Sequence, residues 1–255
     1  MIMINKLGLQ LYSIKGKLSN ATEIRETFKR LRDYGYNCAQ TAGMPIAYEE
    51  FGQIAKEEGI EICGTHDDFD VMVNDHAEAI RRHKALDTKL MGIGGFSAKT
   101  VEEANAFIEK ANAVAAYAKD YGFKFTYHNH SDEFVRYDDG SRLMDMLVEK
   151  LDPANTSFVL DTYWVQHGGG DIKWWINKLT DRIDIVHLKD MMKLRYPLSQ
   201  EITYIGNGNL DWDGIIEACD KAHVKYYVVE QDNAEEGDAF DYVKKSAQFL
   251  KQYMK

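Results

Sequence analysis

The chain has 255 residues, 45% of them hydrophobic and 28% charged, which places it among ordinary globular chains with a sizeable core. Its formal net charge of -10 argues against a nucleic-acid surface, which needs a basic patch or stripe. No run approaches the roughly 18 apolar residues of a membrane helix, and Cys38, Cys63 and Cys219, with no CxxC pair, point to free thiols in a reducing, cytoplasmic compartment.

Short apolar runs alternate with longer amphipathic ones from end to end. Residues 6–13 read as a strand rather than as part of a signal peptide. A helix is predicted over 20–34, with Asn20 as its cap, Ile24, Phe28 and Leu31 at helical spacing, and Gly35 as its stop. A strand at 37–41, a helix at 48–58 ended by Gly59, and a strand at 60–66 follow. Then come a helix at 71–86, a strand at 88–93 and a long helix at 98–121 closed by Gly122. The second half repeats the rhythm, with strands at 124–130, 157–161, 183–189 and 225–231. Its helices are predicted at 141–151, 171–179, 212–222 and 239–254. Residues 193–208 form the one long irregular segment, read either as a lid over the active face or as a solvated connector.

Eight strand–helix pairs without a linker predict one α/β domain over 1–255, a single (β/α)8 barrel. Parallel strands flanked by helices are buried on both faces, which accounts for runs such as Tyr226-Tyr227-Val228-Val229 that do not alternate with polar residues. The competing open doubly wound sheet would carry a GxGxxG after its first strand. Leu11-Tyr12-Ser13-Ile14 stands there instead.

In a barrel, reactive side chains sit where the C-terminal strand ends converge. His66, His128, His130 and His187 fall at predicted strand ends, and Asp161 and Glu230 end strands six and eight. Both carboxylates follow apolar runs, where an ionised group is costly unless it is paired or bound to a metal. Imidazoles and carboxylates without thiolate suit Mn2+, Mg2+, Co2+, Fe2+ or Zn2+ in an open site. Such an ion beside a carboxylate base supports proton abstraction next to a carbonyl.

Five ordered motifs carry a family resemblance. They are Tyr127-His128-Asn129-His130-Ser131-Asp132-Glu133-Phe134, Leu160-Asp161-Thr162-Tyr163-Trp164, Val186-His187-Leu188-Lys189-Asp190, Ile205-Gly206-Asn207-Gly208 with Asp211-Trp212, and Val229-Glu230-Gln231-Asp232. With the opening Gly8-Leu9-Gln10-Leu11-Tyr12-Ser13, the chain resembles the sugar phosphate isomerase/epimerase group of the xylose isomerase-like TIM barrels. The resemblance spans nearly the whole chain. It implies a metal held from strands five to eight and an enediolate-type route acting on a sugar or keto-sugar, phosphorylated or not. Ketose 3-epimerases of the superfamily hold their metal by Glu, Asp, His and Glu, and Asp161, His187 and Glu230 match the last three. The first place holds His128, with Glu133 a few residues on. His128 or Glu133 is therefore expected as the fourth ligand, and Glu230, His128 and Glu133 as acid/base groups. His66, His130, Lys189, Trp164 and Gln10 are expected to contact a carbohydrate substrate, Lys189 against a phosphate, carboxylate or developing enolate.

The superfamily leaves the reaction open. A lyase that dehydrates a keto-sugar or keto-inositol, or cleaves a 3-keto-glycoside, needs the same metal and base. An endonuclease IV-like nuclease conflicts with the acidic balance, and a silent sugar-binding barrel conflicts with intact Asp161, His187 and Glu230. Gly206-Asn207-Gly208 reads either as an anion-binding nest or as a turn leading to an Asp211 cap. Exposed outer helices leave room for a homo-oligomer.

Overall fold

The computed structural model describes residues 4–254, so the extreme ends of the expected 1–255 domain lie outside the described residues. Its strands are β1 (Leu7–Gln10), β2 (Cys38–Ala42), β3 (Glu61–His66), β4 (Leu90–Ile93), β5 (Lys124–His128), β6 (Thr156–Asp161), β7 (Ile183–Leu188), β8 (Asp190–Lys193), β9 (Gln200–Thr203) and β10 (Tyr226–Val229). Eight of them form one parallel sheet in the order β3-β2-β1-β10-β7-β6-β5-β4, while β8 and β9 make a separate antiparallel hairpin. Between β3 and β4 the sheet nearly closes: Asp67 N–H donates to the Gly92 carbonyl at 2.8 Å and Gly92 N–H to Thr65 Oγ1 at 3.1 Å. A Cβ at Gly92 would lie 2.3 Å from the Thr65 carbonyl oxygen and 2.4 Å from Thr126 Oγ1, so this approach needs glycine. The (β/α)8 barrel expected from the strand–helix rhythm is the observed architecture.

The outer elements are α1 (Ala21–Tyr34), α2 (Tyr48–Glu57), α3 (Phe69–Asn74), α4 (His76–Ala85), α5 (Val101–Ala118), α6 (Leu143–Lys150), α7 (Thr162–His167), α8 (Ile172–Lys178), α9 (Trp212–Lys221) and α10 (Ala239–Leu250). In α1 the Asn20 side chain accepts from Glu23 N–H, Gly35 ends the helix in the left-handed region, and Ile24, Phe28 and Leu31 face the core. None of the described helices is long and apolar enough to cross a membrane.

Inside the barrel, Cys38, Cys63, Leu90, Val159, Ile185 and Val228 pack as one apolar cluster. Strand side chains alternate faces, so the inward residues two positions further along form the next layer toward the C-terminal mouth. Above Val159, Ile185, Val228 and Cys38 those residues are Asp161, His187, Glu230 and Gln40. The register locks the layer, with Asp161 opposite His187 and His187 opposite Val228.

Four details differ from the sequence expectation. Strand one stops at Gln10, whose side chain accepts from Tyr12 N–H and starts a 3-10 turn over Leu11–Lys17. The helix expected over 71–86 is broken at Asp75, which caps α4 through Glu78 N–H at 3.0 Å. Residues 162–167 form a short helix that apolar periodicity did not reveal, because Asp161 itself caps it. The segment 193–208, expected as irregular, is largely the β8–β9 hairpin and the turns after it.

Candidate metal centre

Four strand ends bring one ligand atom each toward a common point. His128 closes β5, Asp161 closes β6, His187 is the fifth residue of β7, and Glu230 follows β10. Their ligand atoms all lie within 4.8 Å of one another, and all four residues are buried. His128 Nε2 is 3.4 Å from Asp161 Oδ2 and 3.9 Å from Glu230 Oε2. His187 Nδ1 is 3.7 Å from Asp161 Oδ2 and 2.9 Å from Glu230 Oε2. Ligands at about 2.1 Å from one ion stand about 3.0 Å apart at right angles and about 3.4 Å apart at tetrahedral corners, so the observed set brackets a single small cation.

The ring protons point the same way. His128 Nδ1 lies 3.1 Å from the Gly94 carbonyl, and His187 Nε2 lies 2.5 Å from Gln40 Oε1. That Gln40 oxygen also accepts from Gln10 Nε2 at 3.1 Å, which fixes the amide's orientation. Carbonyl oxygens only accept, so each imidazole keeps its proton on that side and turns a lone pair toward the carboxylates. A lone pair facing an anionic oxygen at 2.9 Å is repulsive unless a cation sits between them. Neither His187 Nδ1 nor Glu230 Oε2 makes a hydrogen bond. Buried imidazole and carboxylate atoms without partners, and no thiolate, fit a divalent ion of the Mn2+, Mg2+, Co2+, Fe2+ or Zn2+ group.

Lys189 is the fixed cation beside this cluster. Its Nζ is 2.9 Å from Glu230 Oε2, 3.1 Å from Asp161 Oδ2 and 3.1 Å from Asp232 Oδ1. Burial works against its charge, but Asp161, Glu230 and Asp232 outweigh burial and raise its pKa. Burial likewise acts to raise Asp161 and Glu230, yet Lys189 and the histidines hold both well below the usual carboxylate range. For His187, burial disfavours protonation while Glu230 and Asp161 raise the pKa, the same demand for positive charge that a metal would meet.

A family model described as xylose isomerase-like TIM barrel matches residues 28–253. The chain belongs to this family. The curated inosose dehydratase of Geobacillus thermodenitrificans (strain NG80-2) is 29% identical over 169 residues, covering 60% of this chain and 55% of the relative. The chain thus matches only about half the length of that relative. A sugar phosphate isomerase/epimerase structure from Parabacteroides distasonis ATCC 8503 superposes with TM-score 0.85 at 22% identity, covering 98% of this chain and 95% of the other. The D-allulose 3-epimerase of Methylomonas sp., solved with D-allulose, superposes with TM-score 0.71 at 16% identity over 97% of this chain and 96% of the other. At these identities the two structures speak to the fold.

In this xylose isomerase-like barrel the other expected site residues are placed unequally. Glu133 stands outside the four-ligand group: Tyr127 Oη–H donates to its Oε1 at 2.7 Å and His130 N–H to its Oε2 at 2.8 Å. Burial raises the Glu133 pKa against those bonds. A cavity of about 280 Å3 opens beside it, lined by Gly94, Gly95, Phe96, Ser97, His130 and Asp132. A larger hollow of about 850 Å3, between α1 and the start of α10, lies away from the ligand atoms. The His66 ring packs at a tilt, its centroid 4.9 Å from that of His128 and 5.6 Å from that of His187, and its Nε2 has no partner. His130 packs 4.7 Å from His128 and 5.4 Å from Trp164, and burial lowers its pKa to about 4. Lys189 Nζ lies 5.1 Å from the Trp164 ring, whose buried Nε1 is unpartnered. Gln10 reaches Gln40 and His66 rather than a ligand of the cluster.

The anion-nest reading of Gly206-Asn207-Gly208 is corrected, because the chain fills that cradle itself. Asp190 Oδ2 accepts from Gly206 N–H at 2.9 Å, Gly208 N–H at 3.0 Å and Trp212 Nε1–H at 2.9 Å. Asp211 still caps α9, as the turn reading expected. Three further residues contribute to the site. Gln40 holds His187, Asn129 Oδ1 accepts from Asp161 N–H at 3.0 Å, and Asp232 bonds Lys189. Asp232 carried a readable signal, since it stands two residues past Glu230 and so on the same face of an extended chain. Asp67 and Asp68 are structural: Asp67 pairs with Arg82 and Asp68 caps α3.

Proposed function

We propose that this barrel is a divalent-metal-dependent enzyme that isomerises or epimerises a sugar or keto-sugar. The carrying observation is the convergence of His128, Asp161, His187 and Glu230, with both imidazoles held in the tautomer that offers a lone pair. A bound divalent ion would polarise a substrate carbonyl and acidify the neighbouring C–H. Lys189, 2.9 Å from Glu230, holds a positive charge where the substrate oxygen would become anionic. Glu133 has the character of the proton carrier. Its raised pKa keeps it nearer neutrality than an exposed glutamate, it borders a cavity, and Tyr127 fixes one of its oxygens. Glu230 has the second acid/base position, opposite His187. Returning the proton to the other face of the same carbon gives an epimer, and returning it to the neighbouring carbon gives an aldose–ketose isomer.

A dehydratase is the second reading, supported by the match to inosose dehydratase. There the same proton is abstracted, the electron pair expels a β-hydroxyl, and the abstracted proton leaves with it as water. The test begins with metal content of wild type, Asp161→Ala and His187→Ala. Roughly one ion per wild-type chain, lost in both variants, supports the reading. A wild type that takes up none of the added Mn2+, Co2+ or Zn2+ sinks it. Mass spectrometry of products from ketoses and keto-cyclitols then separates the classes, because an epimerase conserves mass and a dehydratase loses water.

A further inference from the structure

The charges at the mouth restrict what can enter. Asp161, Glu230 and Asp232 share one ammonium, Lys189 Nζ, at 3.1, 2.9 and 3.1 Å. A divalent ion would bring these three carboxylates and one lysine to neutrality, with no positive charge left over. Glu133, at the adjoining cavity, adds a further negative charge whenever it ionises. On the turn after β1, Lys15 lies 4.0 Å above the Tyr12 ring, and no carboxylate of the described residues pairs with it. The glycine-rich cradle before α9, where barrels of this shape commonly bind phosphate, is filled by Asp190. The unsatisfied polar atoms around the cluster belong instead to neutral groups: His66 Nε2, Gln40 Nε2 and Trp164 Nε1 are buried and without partners. Neutral donors and acceptors of this kind suit hydroxyl and carbonyl oxygens, whereas a phosphate beside the cluster would meet only Lys189, whose charge three carboxylates already share.

We propose that the site takes uncharged polyhydroxy ketones and discriminates against their phosphorylated or carboxylated counterparts. This rests on the metal-dependent reading above and narrows its substrate class. The closing experiment uses full-length protein loaded with Mn2+ or Co2+, its metal stoichiometry measured first. Binding is then followed by calorimetry for neutral ketoses and keto-cyclitols, each beside its phosphate ester where one exists, with inorganic phosphate as a further probe. A chain that fails to load metal refutes the earlier reading and is recognised before any ligand is added. With metal in place, binding of neutral members and at least about tenfold weaker binding of their phosphates is the expected result. Asp232→Asn should then narrow that discrimination by about tenfold, because one negative charge leaves the mouth. A phosphate ester that binds more tightly than its neutral partner overturns the proposal, and so does a metal-loaded protein that binds no neutral member.

Discussion

Replacing Gln40 by leucine keeps the volume and removes the carbonyl that holds His187. In the native site Gln40 Oε1 accepts from His187 Nε2 and from Gln10 Nε2. Without it, the buried Nε2–H is an unsatisfied donor whenever His187 presents its Nδ1 lone pair to a metal. Leaving such a donor unpaired costs about 1–3 kcal/mol. The imidazole can avoid that cost by moving its proton to Nδ1, which lies 2.9 Å from Glu230 Oε2 and would gain a partner there. The metal-competent tautomer must then be recovered at binding, so affinity falls by about 5–150-fold at 1.4 kcal/mol per factor of ten. That range contains the 10–100-fold typical of losing a partner behind a ligating histidine. The assay is competition for Co2+ or Zn2+ against a chromophoric chelator, with Gln40→Glu as the variant that restores an acceptor. The metal-free Gln40→Leu protein should melt within about 2 kcal/mol of wild type, since the Gln40 side chain makes two hydrogen bonds among the described residues. Native metal affinity in Gln40→Leu would refute the argument that Gln40 sets the His187 tautomer.

The remaining expectations follow from the same geometry. Asp161→Asn keeps an oxygen to cap Trp164 N–H, which native Oδ1 does at 2.9 Å, but removes the charge at Oδ2. It should fold with α7 intact by circular dichroism and lose metal affinity by more than about a hundredfold; undiminished metal content would contradict its role as a ligand. Lys189→Met leaves Asp161 and Glu230 buried without their cation, so the metal-free protein should lose roughly 3–5 kcal/mol in urea melts. Added Mn2+ should recover most of that loss, and a variant equally unstable with and without metal would break the link. Asp184, buried under Lys124 and Lys225, has a pKa that burial tends to raise but the two lysines lower. A lowered folded pKa means stability that is complete above the unfolded value of about 3.9 and is lost as pH falls from there through the lower folded value. Asp184→Asn should therefore be less stable than wild type by roughly 1–3 kcal/mol at pH 7, with the gap narrowing as pH falls below about 4; a gap that does not narrow at all on acidification would exclude the ion pairs as its origin.

The barrel was legible because its signals are local and repeated. Helix stops at Gly35, Gly59 and Gly122 all have positive φ, and Ile24, Phe28 and Leu31 line one buried face. The breaks that were missed come from side chains competing with the backbone. Asp75 divides one expected helix and Asp161 starts an unexpected one, each by accepting amide hydrogens that periodicity does not register. The strand-end rule found His128, Asp161, His187 and Glu230, because inward-facing polar residues above an apolar layer have few reasons to be there. It could not rank His128 against Glu133, since one ends strand β5 and the other lies in the turn just after it. The choice depends on a turn in which His130 N–H bonds Glu133 and holds it beside Tyr127.

That turn also bears on which chemistry the site performs. A metal held by Glu, Asp, His and Glu receives three carboxylates, whereas one held by His128, Asp161, His187 and Glu230 would receive two, with the Glu133 carboxylate apart on Tyr127. One negative charge fewer around such an ion would leave it a stronger Lewis acid toward a carbonyl. The displaced Glu133, kept closer to neutrality by burial, is better suited to donate a proton than a ligating carboxylate would be. An epimerase needs a donor on the face opposite its base, and a dehydratase needs one at the departing hydroxyl. Both demands fall on Glu133, so its position relative to a bound keto-sugar decides between them. Glu133→Gln keeps the Tyr127 contact and removes the proton transfer. If the chain is an epimerase, that variant should still exchange the substrate α-proton with deuterated solvent while product formation falls, because abstraction survives and delivery does not. Loss of exchange and product together would instead make Glu133 the base and Glu230 the donor.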